Sequence, residues 1–365
     1  MSSVFIDPQQ AELGARMGHG QREGAAVRLI RAAYLVELDQ LSEIIKPRQE
    51  LPDEAFHDGP IGADHGVALV AISYPWLTAA HPDPERFHMK TLAPLLAAAE
   101  RDFNNQIAVF LDFMSLFQGQ RTTEQNELFK QGLRAINLIY GHQQVTVWCL
   151  TRVPAGVERD YHVRGWCTFE RAIASALKTE YDLLDIGMLE RAPDAVTNFE
   201  SQVEAVCKSG RRPPLPPAEF QQLLLSKHFT NGKQDHDLVS RLYADFVAEA
   251  LGAAVRLTFP ALEWGDTEAH QISQILVACT SLTSLSLSEN NISDDGVAAL
   301  AAGLNSTQLE ELDLAYNKFG ARGAAALAAR LPPTLRVLNV EYNQRLGCPV
   351  LNARTRKGVE QFVRF

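Results

Sequence analysis

Residues 66–73 read GVALVAIS, an unbroken apolar run of strand length that closes on a serine. Two later runs share this grammar, IAVFLD at 107–112 and VTVWCL at 145–150. Each leads into a polar, Pro- or Gly-marked loop and then into a stretch of helical period, about 88–103, about 123–140 and from Gly165 onward. YDLLDIG at 181–187 is a candidate fourth strand. Strands that are apolar on both faces and alternate with helices predict a parallel sheet covered on both sides. Ligands of such sheets sit outside the carboxyl ends of the strands. The unusual residues of this chain cluster there: Ser73, Trp76, His81 and Asp83 after the first run, Asp112 and Ser115 after the second, and RGWC after the third. Thr122 and Gln125 have the spacing of a capping box for the second helix.

The third helix raises a question of its own. Residues 164–175 read RGWCTFERAIAS. On a helical wheel Trp166, Phe169, Ile173 and Leu177 share one arc, and Glu170 falls beside it, about 40° from Trp166. A carboxylate so placed must be paired, hydrogen-bonded or used in chemistry, because leaving it dry and alone is costly.

Composition narrows the function classes. The chain has 365 residues, enough for two domains, and 34 basic against 44 acidic residues leave a formal charge of −10. That balance argues against a nucleic-acid partner. No apolar run reaches the ~18 residues of a membrane span, and MSSVFIDPQQAELG does not read as a secretory signal. Five scattered cysteines, at 149, 167, 207, 279 and 348, suggest free thiols in a cytoplasmic, reducing compartment, and no spacing suggests a metal site.

The flanks read differently. Residues 1–65 suggest a helical preamble with a helix over about 23–46, and 66–253 the α/β domain with its C-terminal helices. From 254 to 365 a repeat takes over. LTSLSLSENNI (282–292) and LEELDLAYNKF (309–319) fit L-x-x-L-x-L-x-x-N-x-Φ, and LRVLNVEYN (335–343) fits its first nine positions. The units are 27 and 26 residues long, and helical DDGVAALAAGL and ARGAAALAARL fall at the same offset. This is the leucine-rich-repeat signature, a strand and a helix per unit, with Asn290, Asn317 and Asn343 bonding the backbone at the turn. Residues 255–281 keep the helix of such a unit but offer a poor strand, as a degenerate cap. The outward strand positions, among them Thr283, Ser284, Glu311, Asp313 and Asn339, make a small acidic and polar face.

Trp166, Cys167 and Glu170 fit a Trp-Cys-x-x-Glu motif, and with them the first domain resembles the TIR superfamily. Phe110, Asp112, Leu116 and Gly119 fit the family's second strand and loop, and LVAISYPW resembles its first strand. The segment 66–190 is also similar to TIR-like domains of algae and other protists, with RGWC before the glutamate. The resemblance implies a flavodoxin-like parallel sheet and one of two jobs. The first is hydrolysis of NAD as substrate, with Glu170 catalytic and Ser73, Trp76, Asp112, Ser115 and Trp166 around the ligand. The second is a non-enzymatic adaptor that pairs with other TIR-like domains or with itself, while the repeats take a protein partner. No bound cofactor is implied, and the pairing of such a domain with repeats resembles innate-immune signalling proteins. The chain departs from the family in its long loop after the third strand, in Pro75-Trp76, and in having no G-x-x-x-x-G-K-[ST].

Each residue also has a plainer reading. Glu170 could pair with Arg164, Asp112 could cap a turn, and the tryptophans could be pocket wall. A Cys/His hydrolase through Cys167 with His162 or His81 competes with a small buried thiol. Arg211 to Pro217, RRPPLPP, has the form of a polyproline ligand or of a helix break.

Overall fold

The apolar runs become neighbouring strands in the computed structural model, which describes residues 24–179, 181–208, 210–305, 307–343 and 352–353. Contacts group these into two units, one of 24–174, 181–208 and 226–239, the other of 175–179, 210–225 and the chain from 240. The second unit thus draws in segments that precede the composition change at 254.

In the first unit the elements run β1 Leu29–Arg31, α1 Ala32–Gln40, β2 Phe56–His57, β3 Val67–Ser73, α2 Met89–Phe103, β4 Gln106–Phe110, α3 Asp112–Ser115, α4 Thr123–Gly141, β5 Val145–Cys149, α5 Gly165–Leu177 and β6 Leu183–Asp185. The sheet order is β2-β1-β4-β3-β5-β6. The four strands β4, β3, β5 and β6 are parallel, and β1 runs antiparallel between β2 and β4. The chain leaves β3 for β4 on one side and later crosses to β5 on the other. Strand ends diverge at such a reversal and leave a crevice.

Both faces are buried, as the continuous apolar runs predict. Val70, Ile72, Val109, Leu111 and Trp148 share a core with Leu35 of α1 and Leu92 and Leu96 of α2. On the alternate positions Ala71, Phe110, Val147 and Cys149 are buried as well. There Tyr140 of α4 meets Phe110 edge-on at 5.8 Å and donates its hydroxyl to the Ile72 carbonyl at 2.8 Å. The α4 capping box forms, with the Gln125 amide on Thr122 Oγ1 at 3.2 Å and the Thr122 amide on Gln125 Oε1 at 3.1 Å. At the far edge the Asp185 amide donates to the Cys207 carbonyl at 2.6 Å, and Leu184 bridges antiparallel to Lys208.

Residues 24–65 are not a separate helical preamble. A helix over 23–46 was the expectation, yet Leu29–Arg31 is a strand and the helix is confined to Ala32–Gln40. Val27 to Leu35 carries apolar residues at a spacing that suits a helix, but β4 has an open edge, and pairing with it overrides the local preference. The segment is then pinned by Arg48, whose buried guanidinium donates to the carbonyls of Ala25, Ala26 and Ser115 and stacks on Phe117 at 4.1 Å. Residues 1–23 lie outside the described residues.

The second unit is the repeat array. Strands β7 Arg256–Thr258, β8 Ser284–Ser286, β9 Glu311–Asp313 and β10 Val337–Asn339 run parallel in that order, and β11 Asn352–Ala353 closes them antiparallel. The same unit holds α6 Pro217–Leu224, and α7 Lys233–Phe246 leads into the array. Helices α8 Asp266–Ile275, α9 Asp294–Leu304 and α10 Ala321–Ala328 alternate with the repeat strands. The poor strand expected in 255–281 does form, because β8 offers it a partner. Asn317 shows how a turn is held: its amide nitrogen donates to the carbonyls of Leu287, Leu314 and Ala315, and its oxygen accepts from the Ile292 amide. Asn290 and Asn343 make the equivalent side-chain donations.

The proline motif at 211–217 is packed, not displayed. Arg211 is buried, donating to the carbonyls of Ser175 and Thr258 and lying 4.6 Å from the Phe259 ring, while Pro217 opens α6. Among the described residues no helix is long and apolar enough to cross a membrane.

Each Asn317 bond satisfies a backbone group that the solenoid has taken from water. Asn317→Ala is expected to lower stability by about 2–4 kcal/mol in urea titrations, whereas Lys318→Ala beside it stays within about 0.5 kcal/mol.

Candidate functional site at the strand ends

Four segments meet at the carboxyl ends of β3, β4 and β5. The first is the Ser73-Tyr74-Pro75-Trp76 exit of β3, and the second the α3 turn that starts at Asp112. The third is the first turn of α5. The fourth was not foreseen: residues 226–239 return to this end of the sheet. The Gly165 amide, which opens α5, donates to the His228 carbonyl at 2.9 Å, and the His228 amide donates to Val163 at 2.7 Å. These segments enclose a cavity of about 370 Å³, within the usual range for ligand clefts. Its walls include Trp76, Asp112, Arg164, Trp166, Glu170 and, from the returning segment, Asn231.

Glu170 is 8% exposed and accepts a hydrogen bond from Ser73 Oγ at 2.6 Å. It is not tied to Arg164, whose guanidinium donates to the Arg159 carbonyl at 3.1 and 3.2 Å. Burial pushes the Glu170 carboxyl well above its ordinary 4.5; the Ser73 bond pulls it down and the charge of Asp112 pushes it further up. Asp112 is also raised, by burial, against the pull of bonds from Tyr74 Oη at 2.7 Å, Trp76 Nε1 at 3.1 Å and the Phe113 amide at 2.6 Å. The two carboxyls therefore differ in kind. Asp112 is held by three donors and fixes Trp76, while Glu170 has one and faces the cavity.

Of the residues expected around a ligand, Trp76, Asp112, Trp166 and Glu170 line the cavity. Ser73 does not: it is fully buried and acts on Glu170 from behind. Ser115 is not part of the site either. Its hydroxyl accepts from the Leu111 amide at 3.1 Å and its carbonyl from the Arg28 amide and Arg48, so it braces the α3 turn. Tyr74 and Tyr161 were missed. Tyr74 was legible as the residue after Ser73, and Tyr161 follows Asp160, a natural turn cap, in the long loop after β5. Nothing local marks 226–239 as part of a strand-end site.

His81 is spent on structure, with Nε2 donating to the Ile45 carbonyl at 2.9 Å and its ring 5.0 Å from Phe113. Among the described residues no group of three or more His, Cys, Asp or Glu is placed to hold a metal ion.

Residues 278–301 and 305–328 match a family model described as Leucine Rich repeat. The chain carries leucine-rich repeats. The match covers β8, most of α9, β9 and α10, all within the second unit. No TIR model is matched, and no curated protein matches the sequence.

Burial holds the thiols in their neutral form: Cys149 is pushed up to about 12, Cys207 to about 11, Cys279 to about 12, and Cys167 well above 9. A thiol nucleophile needs the opposite shift. Alkylation at pH 7.5, followed peptide by peptide in a mass spectrometer, is expected to label these four about a hundredfold or more slowly than free cysteine. Fast labelling of Cys167 in the folded chain would restore the thiol-hydrolase reading. Cys348 lies outside the described residues.

Proposed function

We propose that the sheet-bearing unit is a TIR-like domain that hydrolyses NAD to nicotinamide and an ADP-ribose product, with Glu170 as the catalytic carboxylate. One observation carries this reading. Glu170 lines the cavity at the reversal of strand order with Ser73 as its one hydrogen-bond donor, and it shares that cavity with Asp112, Asp235, Trp76 and Trp166. The parallel strands lie in the order second, first, third, fourth of their sequence, as in flavodoxin-like sheets.

The chemistry suits a single carboxylate. The C1′–N bond of the nicotinamide ribose breaks, its electron pair stays on the pyridine nitrogen, and nicotinamide leaves neutral without needing a proton. Ionised Glu170 stabilises the oxocarbenium-like ribose and takes a proton from the attacking water. O-glycosides need a second group as acid. Trp76 and Trp166 line the same cavity, and an indole there suits a cationic ring. A cationic substrate also favours the ionised form of Glu170 on binding. The protein is then a cytoplasmic signalling or defence protein, and its domain associates with itself or with other TIR-like domains.

A second reading, a non-enzymatic adaptor, draws on the repeats, because leucine-rich repeats commonly mediate protein–protein interaction. Tyr316 and Tyr342 occupy equivalent positions in successive repeats, are more than half exposed, and stack at 4.3 Å, as a contact surface would.

Nicotinamide release from NAD, at high protein concentration with a crowding agent, separates the two. The wild type is expected to release nicotinamide and Glu170→Gln to lose about a hundredfold or more of that rate. No release from the assembled wild type leaves the adaptor. Because the carboxylate is the working form, the rate is expected to rise with pH through a midpoint above the ordinary 4.5. Stability runs the other way. A carboxyl whose folded pKa is raised contributes fully below its unfolded pKa and loses that contribution as pH rises through the folded value. Glu170→Gln is therefore expected to melt no lower than wild type at pH 8, so that lost activity is not lost folding.

A further inference from the structure

Tyr161 reaches the site from the loop between β5 and α5 that is longer than in the family the domain resembles. Asp160 caps the turn that delivers it, accepting from the amides of His162 at 2.8 Å and Val163 at 3.2 Å. The Tyr161 side chain is 1% exposed, and its hydroxyl lies 2.7 Å from Ser73 Oγ. A serine hydroxyl has one proton to give. Ser73 gives it to Glu170 Oε2 at 2.6 Å, so the proton in the Tyr161–Ser73 contact belongs to the tyrosine. The donors line up from Tyr161 to Ser73 to Glu170.

We infer that Tyr161 and Ser73 form a hydrogen-bond relay that stabilises the carboxylate form of Glu170 and fixes its orientation, with Tyr161 as the positioning residue that commits the Ser73 proton to it. Each bond in the chain polarises the next, and the interior is dry, so the ionised end gains most. When Glu170 takes up a proton the chain reverses. Glu170 donates to Ser73, Ser73 to Tyr161, and Tyr161 turns to the Cys167 carbonyl, which lies 3.4 Å away. That contact is longer than the 2.6 and 2.7 Å bonds of the forward arrangement, and the Cys149 thiol is a second partner for the tyrosine hydroxyl.

Titratable and charged groups surround Glu170 from several elements: Asp112 from α3, Tyr140 from α4, Cys149 from the end of β5, Cys167 from α5, and Arg121, Arg164, His228 and Asp235, which line the same cavity. Burial keeps Tyr140 and both thiols neutral, and Asp112, a like charge, works against ionisation. Within the first hydrogen-bonded layer the relay is thus the feature that favours the carboxylate. Its kinetic meaning rests on the catalytic reading of Glu170; the relay itself does not.

The test titrates Glu170 without turnover. The infrared carbonyl band of its protonated form, assigned by its loss in Glu170→Gln, is followed with pH in the full chain. Ser73→Ala is expected to move the midpoint up by about one pH unit or more, and Tyr161→Phe up by a smaller amount. Tyr243→Phe, which removes a buried hydroxyl bonded to Leu215 elsewhere, is expected to leave it unchanged. Circular dichroism and melting establish that each variant folds. An unmoved or lowered midpoint in folded Tyr161→Phe overturns the relay, as does one in Ser73→Ala. Shifted midpoints without nicotinamide release from wild type keep the relay and sink the hydrolase reading.

Discussion

A parallel sheet buried on both faces cannot place polar chemistry along its strands, so a polar ligand site of the first unit belongs where the strands end. That constraint runs from β3 outward. Val70 and Ile72 commit one face to α1 and α2, Ala71 the other, and Ser73 is the first position where a hydroxyl replaces a hydrocarbon. The bond from Ser73 to Glu170 then joins the strand end to the first turns of α5. Through Tyr161 it also joins both to the loop after β5. Strand, helix and loop converge on one carboxyl.

Much of this was legible in residues alone, for a definite reason. Continuous apolar runs of six to eight residues have few ways to be buried, and alternation with helical segments leaves mainly the parallel sheet. Leucines and asparagines at fixed spacing likewise leave mainly the solenoid. Glu170 stood out because a carboxylate beside an apolar arc has to be explained. The misses share a cause. β1 forms because β4 offers an open edge, which no local pattern announces. The segment at 226–239 pairs with the chain around Gly165 through backbone atoms, which carry no side-chain signature. Ser115 had the right position after β4, but its hydroxyl is taken by the Leu111 amide.

Asp112 and Glu170 show how environment sets like groups apart within one cleft. Three donors immobilise Asp112 and make it an anchor for Trp76. Glu170, with a single donor and a deeper setting, has its carboxyl pushed up by burial. A positive charge placed beside it would favour its ionised form, as the proposed cationic substrate requires.

The antiparallel pair β1 and β2 has a consequence for assembly. Exposed sheet edges invite strands from other molecules. Here the edge of β4 is occupied by β1, the outermost strand β2 is two residues long, and β6 is bridged by Lys208. Among the described residues neither side offers a long ladder of free amides and carbonyls. Copies of this unit, if they gather as proposed, would find helix surfaces and loops rather than open strand edges among the described residues. Such contacts are set by side chains, so the geometry of the array is open to tuning by single substitutions in a way that continuous backbone pairing would not be.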